Sequence, residues 1–412
     1  MKIKRIRAEN FKSYKKVNIE LNNLNFIIGG NASGKSNYVN ILKFFNDIIY
    51  YGLDDAILLQ GGIKYLFNSN GRKNGSISLY FEIDLTEEEK EISKIFTAEK
   101  SLYLPNMLNY TLKIKPNEKG EGYKISKEKI EIKFEQLQKN DENTFASNFY
   151  NLVINKDING AITGNFDNEL YNKDEFISLR YIERFIKREG ILLTNFFAAF
   201  AIFYRYESKI KIYNFDVNLL KSPSSIVARS ELEEDGSNLV NIIQQLLKNK
   251  VKKEKLSKLI KLILPFIDEI KIENNVNKSV FFKVKESYNK KEFPSYMLSD
   301  GTVNILAVIV ALYFQDDNAV IVLEEPERNI HPKLLSTLVS ILSDVSDKKQ
   351  IFVTTHNPFI IKEANLDDIY LVSRDENGIS NITKPIDDER IKTFLENDLG
   401  IEDLFVDGIL RW

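Results

Sequence analysis

Leu24-Asn25-Phe26-Ile27-Ile28-Gly29-Gly30-Asn31-Ala32-Ser33-Gly34-Lys35-Ser36-Asn37 reads as an apolar strand running into a glycine-rich turn, with a helical segment following from Ser36 to Ile49. Its centre, Gly29 to Ser36, matches G-x-x-x-x-G-K-S/T, and a strand before with a helix after is the setting in which that pattern cradles phosphates. Glycines let backbone amides turn inward without Cβ clashes, and the helix N-terminus adds positive potential. Gly29, Gly30, Asn31, Ala32, Ser33, Gly34, Lys35, Ser36 and Asn37 are therefore the candidate nucleotide-binding residues. Lys35 is expected to reach the β and γ phosphates, and the Ser36 hydroxyl to ligate Mg²⁺.

Downstream, the stretch Leu298 to His356 adds three further motifs and holds the only two histidines of the chain. Val320 to Leu323 is an apolar strand that ends in Glu324-Glu325-Pro326-Glu327, which is how a buried sheet delivers carboxylates to the edge of a nucleotide site. Glu324 is the candidate Mg²⁺ residue, acting through water. Glu325 is the candidate that orients or deprotonates the attacking water, a role contributing roughly 10²–10⁴ in rate. His356 closes a second apolar strand, Ile351 to Val353, after two threonines, where it can bond the γ-phosphate or hold that water. His331 precedes Pro332 and is expected to be structural. Leu298-Ser299-Asp300-Gly301-Thr302 opens a very apolar helix, so Ser299 can cap it while the Gly301 amide lies open to an anion.

Composition limits what else the chain can do. With 412 residues, 43% apolar, it can bury one large core plus an inserted subdomain, or two modest domains. Lys and Arg number 57 against 59 Asp and Glu, so any surface for nucleic acid must be local. The absence of cysteine excludes disulfides, thiolate zinc sites and a cysteine nucleophile. The basic N-terminus has no apolar stretch suited to a signal peptide, because Glu9, Asn10 and Lys12 follow at once. The longest apolar run, Ile191 to Tyr204, falls short of the roughly 20 residues that span a bilayer. It is read as a buried helix in a cytoplasmic protein with no membrane partner.

Along the chain, strands are expected over Ile3–Phe11, Val17–Leu21 and Leu24–Ile28, and from Ser76 to Leu85 on its alternation of two. A charged helix (Glu87 to Lys100), hairpin strands around Tyr110–Ile114 and Ile125–Phe134, and a helical stretch from 174 to 210 then suggest an inserted α+β/helical subdomain over 86–219. Heptads are not sustained there, so a long coiled-coil arm is not expected. From Val320 the order strand, helix, strand (320–324, 332–343, 350–355) is that of a parallel sheet with crossover helices. The domains expected are thus 1–85, the insert 86–219, and 220–412.

These motifs together resemble the ABC-class ATPases, and more narrowly the heads of the RecF, SMC and overcoming-lysogenization-defect (OLD) groups. Leu298 to Thr302 looks like the signature Leu-Ser-Gly-Gly-Gln, departing at Asp300 and Thr302. Glu324 stands where such proteins usually carry Asp. Glu-Glu-Pro-Glu with His331-Pro332, Thr354-Thr355-His356-Asn357-Pro358, Asp235 to Leu239, and Leu399-Gly400 through Leu410 are similar to standalone prokaryotic OLD-type ATPases. The resemblance implies an α/β ABC-type P-loop head, a mostly parallel sheet with flanking helices plus an antiparallel β subdomain. It implies ATP and Mg²⁺ as ligands, with Lys35, Glu325 and His356 catalytic. It also implies head-to-tail pairing, in which Ser299 and Gly301 serve the nucleotide of a second copy, so the chain is expected as a homodimer or larger homo-oligomer. Gln60 for the Q-loop, and Lys12 and Ser13 near the nucleotide, are looser assignments.

OLD proteins continue into a Toprim nuclease that needs an Asp-x-Asp pair, and Ile369 to Asp375 ends in none, so no nuclease is expected within the chain. Similar standalone ATPases work with a separately encoded effector, a nuclease or toxin, often in defence against phage. Three readings stay open: a regulator of such an effector, a DNA-clamping repair or recombination head, and a scaffold that binds ATP and scarcely hydrolyses it. The lysine-rich stretch Lys248 to Lys261 suits the second reading or is simply a solvated helix face.

Overall fold

The computed structural model describes residues 1–68, 75–85, 95–96, 102–117, 122–139, 145–166, 210–225, 230–274, 279–288, 291–315 and 319–387. In chain order, β1 (Lys2–Phe11), β2 (Tyr14–Glu20) and β3 (Leu24–Ile28) precede helices α1 (Lys35–Tyr51), α2 (Leu53–Leu59) and α3 (Ile63–Leu66). Strands β4 (Ile77–Asp84), β5 (Ile95–Phe96), β6 (Leu102–Pro116), β7 (Tyr123–Lys139), β8 (Phe145–Asp157), β9 (Ile162–Phe166) and β10 (Ile210–Tyr213) follow. Then come α4 (Val217–Lys221), β11 (Ser224–Ser225), α5 (Leu239–Lys248), α6 (Lys250–Ile263), β12 (Ile267–Asn274), β13 (Ser279–Glu286) and β14 (Glu292–Pro294). The chain closes with α7 (Asp300–Tyr313), β15 (Val320–Glu324), α8 (Leu335–Ser346), β16 (Gln350–Thr355), α9 (Pro358–Glu363), β17 (Ile369–Arg374) and β18 (Ser380–Thr383).

One sheet carries the site. Its order is β10-β15-β16-β3-β17-β18-β2-β1-β4-β6-β7-β8-β9. The run from β10 to β17 is parallel, whereas β1, β2, β4 and β6 to β9 pair antiparallel. The central parallel strands are built on apolar runs, Phe26–Ile28, Val320–Leu323 and Ile351–Val353, because both faces are covered. Ile27, Val320, Val322 and Phe352 face the cluster that contains α1, while Phe26, Ile28, Ile321, Leu323, Ile351 and Val353 face the cluster built by α5 to α8. Helix α7 is buried from Gly301 to Leu312, as an all-round apolar helix must be.

Most expected elements are found within a few residues: β1, β3, α1, β4, β15 and β16 lie where the periodicity puts them. The stretch read as a charged helix over 87–100 is different where it is described, since Ile95–Phe96 pairs with β6 as a strand. Strands β6 to β9, within the span 86–219, extend the sheet outward from β4, and β10 lies parallel to β15. Ile210–Tyr213 has four residues and follows a helical-looking run with no glycine or proline between, so the sequence offers no boundary before it. The stretch 174–209, the apolar run Ile191–Tyr204 and the closing segment after Asp387 lie outside the described residues. Among the described residues no helix is long and apolar enough to cross a membrane.

Candidate functional site

The carboxyl ends of β15, β16 and β3 lie side by side, with β16 in the middle. Each carries one motif outward into the loop that follows. From β3 the chain turns through Gly29–Gly34 into α1, with Ala32 at φ 61° and Gly34 at φ 120°. Asn31, Ala32 and Ser36 are exposed, while Ser33 and Lys35 are buried. The Lys35 ammonium donates to the carbonyls of Gly29 and Gly30 at 2.7 and 3.0 Å. Burial pulls its pKa down, partly offset by the carboxylates of Glu325, Glu327 and Glu324. All three acids of the Glu-Glu-Pro-Glu turn therefore act on the lysine of the phosphate loop.

The turn after β15 is held in an unusual conformation. Glu325 has φ 46°, a left-handed value that bulky residues adopt at a cost of order 1–3 kcal/mol, and its N–H donates to the Thr354 carbonyl at 2.8 Å. Its carboxylate accepts from Arg328 at 2.8 Å and lies 3.0 Å from His356 Nδ1. Burial pushes this carboxyl up, but Arg328 and His356 outweigh that and hold it below the ordinary range. An ionised carboxylate only accepts, so His356 Nδ1 carries the hydrogen, and Nε2 is left to accept from water or, in the imidazolium form alone, to donate to an anion. The His356 side chain is 51% exposed.

Glu324 and Glu327 behave in the opposite way. Burial, and then the neighbouring Glu325, pushes the Glu324 carboxyl up. Burial also raises Glu327, which is 5% exposed and accepts a short hydrogen bond from the Thr355 hydroxyl. A divalent cation fits this donor set: the exposed Ser36 hydroxyl at the start of α1 and the half-buried Glu324 carboxylate are the residues that would hold it. Among the described residues no three acidic or histidine side chains form a metal cluster.

Behind the phosphate loop, the β17–β18 hairpin braces it. The Ser380 hydroxyl lies 2.7 Å from the Ser33 carbonyl and 2.8 Å from Ser13 Oγ, which accepts from Asn37 at 2.8 Å. A Cβ on Gly34 would meet Ser380 Oγ at 2.3 Å, so the approach requires glycine. Arg374 donates to the Ala32 carbonyl at 3.3 Å. Sequence reading missed Ser380 and Arg374. The Asp375-Glu376-Asn377-Gly378 turn marks a hairpin, but nothing in it says what the hairpin packs against.

At the start of α7, exposed Ser299 caps the helix by accepting from the Thr302 N–H at 3.2 Å. Asp300 pairs with Lys221 and accepts from Asn329 at 3.4 Å. Gly301 is buried, and a Cβ there would meet the Asn329 carbonyl at 2.4 Å. Helix α7 thus packs closely on the Glu325–Ile330 turn, which gives Gly301 a packing role where the sequence suggested an amide open to an anion. His331 is exposed and caps the following turn by accepting from the Lys333 N–H at 3.2 Å. Buried Gln60 bonds Asp47 on α1, twelve residues and about 18 Å along the helix from Lys35. Ser13 joins the Ser380 network, while Lys12, at φ 48°, has its pKa lowered by burial and then by Lys43.

Residues 24–362 match the family described as AAA domain, putative AbiEii toxin, Type IV TA system. The chain is similar to Endonuclease GajA of Bacillus cereus (strain VD045), 24% identical over 382 residues, covering 88% of this chain and 57% of that protein. It therefore spans little more than half the length of that relative. It is also similar to the Retron Vc95 probable ATPase of Vibrio cholerae serotype O1 biovar El Tor, 22% identical over 416 residues, covering 90% and 74% respectively. In fold it resembles the SmcHead solved with the C-winged helix domain of ScpA, at a TM-score of 0.53 and 14% identity, over 93% of this chain and 97% of that one.

Proposed function

The chain belongs to the family described as AAA domain, putative AbiEii toxin, Type IV TA system, and from that premise we propose that it hydrolyses ATP between two copies of itself and so regulates a separate effector. The observation that carries the reading is the convergence of Lys35, Ser36, Glu324, Glu325 and His356 at three adjacent strand ends, β3, β15 and β16. In this reading the amides of Gly29 to Asn37 and the Lys35 ammonium bind the phosphates. Ser36 and Glu324 would hold Mg²⁺, which would supply charge neutralisation when bound. Glu325, kept ionised by Arg328 and His356, accepts the proton of the attacking water, and His356 Nε2 steadies that water or the phosphate. Exposed Ser299 and the Gly301 segment serve the nucleotide of the second copy.

The effector is a separately encoded nuclease or toxin, and the setting is antiphage defence in the cytoplasm. A family described by a putative toxin system and an endonuclease among the relatives support this choice. The test is steady-state ATP hydrolysis by the wild-type chain, by Lys35→Ala and in EDTA. The reading requires turnover in the first alone, and equal phosphate release in all three would end it.

A second reading, direct clamping of DNA, is favoured by one observation on the antiparallel half of the sheet. Lys113 lies directly opposite Lys127, and Lys115 opposite Lys124. Like charges so placed repel each other, and a polyanion lying across them would relieve that repulsion. Among the described residues none of these four has an ion pair, and Arg7 stacks on Tyr80 two strands away. Duplex DNA binding that weakens with salt, and that Lys113→Glu with Lys127→Glu abolishes, would favour this reading. Loss on neutralising Lys250, Lys252 and Lys253 instead would place the contact on α6.

A further inference from the structure

The hydrogen bonds around the Glu-Glu-Pro-Glu turn connect two regions that the proposed chemistry uses in different sites. On one side is α7, whose exposed N-terminus carries Ser299. Five residues into it, buried Asn304 donates from Nδ2 to the carbonyls of Pro326 at 2.9 Å and Arg328 at 3.0 Å. These carbonyls flank Glu327. Asn329 meets the same helix through Asp300 and through the close approach of its carbonyl to Gly301. On the other side, the Glu327 carboxylate accepts from the Thr355 hydroxyl, and Thr355 Oγ1 accepts from the Asn357 N–H at 2.9 Å. Residue 356 between them is the histidine that bonds Glu325.

We propose that Asn304 and Glu327 are positioning residues that hold the Glu325 turn in register with α7 and with the His356 loop, so that a shift of α7 changes the Glu325–His356 geometry within the same subunit. The chain of contacts is short, buried and fully named: α7, Asn304, the 326–328 backbone, Glu327, Thr355, His356, Glu325. Asn304 is 3% exposed, Glu327 5% and Thr355 0%, so a partner left unpaired by removing one of them is costly. Neither Asn304 nor Glu327 is expected to touch nucleotide. The effect of removing them should fall on turnover while binding by the phosphate loop persists.

The inference rests on the ATPase reading above, and its test separates the two. The full chain is compared as wild type, Asn304→Ala, Glu327→Ala and Glu327→Gln, each also in a His356→Ala background. Nucleotide affinity is read by titration with a fluorescent ATP analogue, kcat by phosphate release, and folding by thermal melting. Asn304→Ala and Glu327→Ala should lose 10- to 100-fold in kcat with affinity within about two-fold. Glu327→Gln keeps an acceptor for Thr355, so it should retain most of the kcat. In the His356→Ala background the same changes should cost less than about two-fold more, because they act through that histidine. Full kcat in both alanine variants, or a parallel fall of affinity and kcat, overturns the proposal, and so does full additivity with His356→Ala. If Asn304→Ala melts early, the Glu327 Gln-against-Ala comparison decides alone. A wild type that neither binds nor hydrolyses ATP overturns the underlying reading, and this inference with it.

Discussion

His356 Nδ1 lies 3.0 Å from Glu325 Oε1, so a single hydrogen bond joins the residues that follow two adjacent parallel strands, β15 and β16. Strand pairing alone would not make that contact. Glu325 reaches it by leaving the strand at φ 46° and turning its carboxylate between Arg328 and His356. The pair fixes which nitrogen of the imidazole carries the hydrogen, and with Arg328 it holds the carboxyl below its ordinary range. His356→Ala is therefore predicted to lower kcat by about 10²-fold while ATP binding remains, as checked by phosphate release and nucleotide titration.

Arg328 should set the acid limit of activity. Burial alone would raise the Glu325 carboxyl, and Arg328 with His356 reverses that. Removing the guanidinium raises the carboxyl's pKa, so its base form disappears at a higher pH. Arg328→Ala should accordingly move the acidic limb of the pH–rate profile upward. An unmoved limb would mean that another group titrates there.

Asp47 gives a stability test independent of activity. Burial is the main cause that raises this carboxyl to about 6, with Lys43 opposing and Glu234 assisting. A carboxyl whose folded pKa is raised favours folding while protonated, below its unfolded value near 4, and loses that contribution as pH rises through 6. Asp47→Asn should therefore raise the melting temperature at pH 8 by roughly 2–4 °C, and the gain should vanish as pH approaches 4. A gain that grows toward acid would reverse the argument.

Gly301→Ala tests the approach of α7 to the turn. The added Cβ would lie 2.4 Å from the Asn329 carbonyl, so the helix start or the turn must move. A loss of about 1–3 kcal/mol in stability is expected, with a fall in kcat larger than in ATP affinity. Chemical denaturation and phosphate release measure the two.

The sequence carried the central strands of the parallel half and the residues of their ends, because β3, β15 and β16 are built on apolar runs and each leads into a motif of fixed spacing. Lys35, Glu325 and His356 could be found this way, since each lies within a few residues of the end of a buried run. Ser380, Arg374 and Asn304 could not. Ser380 reaches Ser33 across 347 positions through a hairpin that lies beside the phosphate loop only because β17 pairs with β3. Asn304 sits in a helix whose apolar neighbours hide it, and its partners are backbone carbonyls, which leave no pattern in side-chain order. The Ile95–Phe96 strand was missed for a similar reason: two residues in a charged stretch have no period to read.

In the proposed cycle Glu325 releases an ATP-bound pair of chains by hydrolysis. The direct measurement is the solution mass and bound nucleotide of the Glu325→Gln chain with and without MgATP, beside Lys35→Ala. The account predicts that Glu325→Gln keeps ATP and gathers as a dimer or larger form, while Lys35→Ala stays at its nucleotide-free mass. A Glu325→Gln chain that turns over ATP at the wild-type rate, or whose mass ATP does not change, would contradict it.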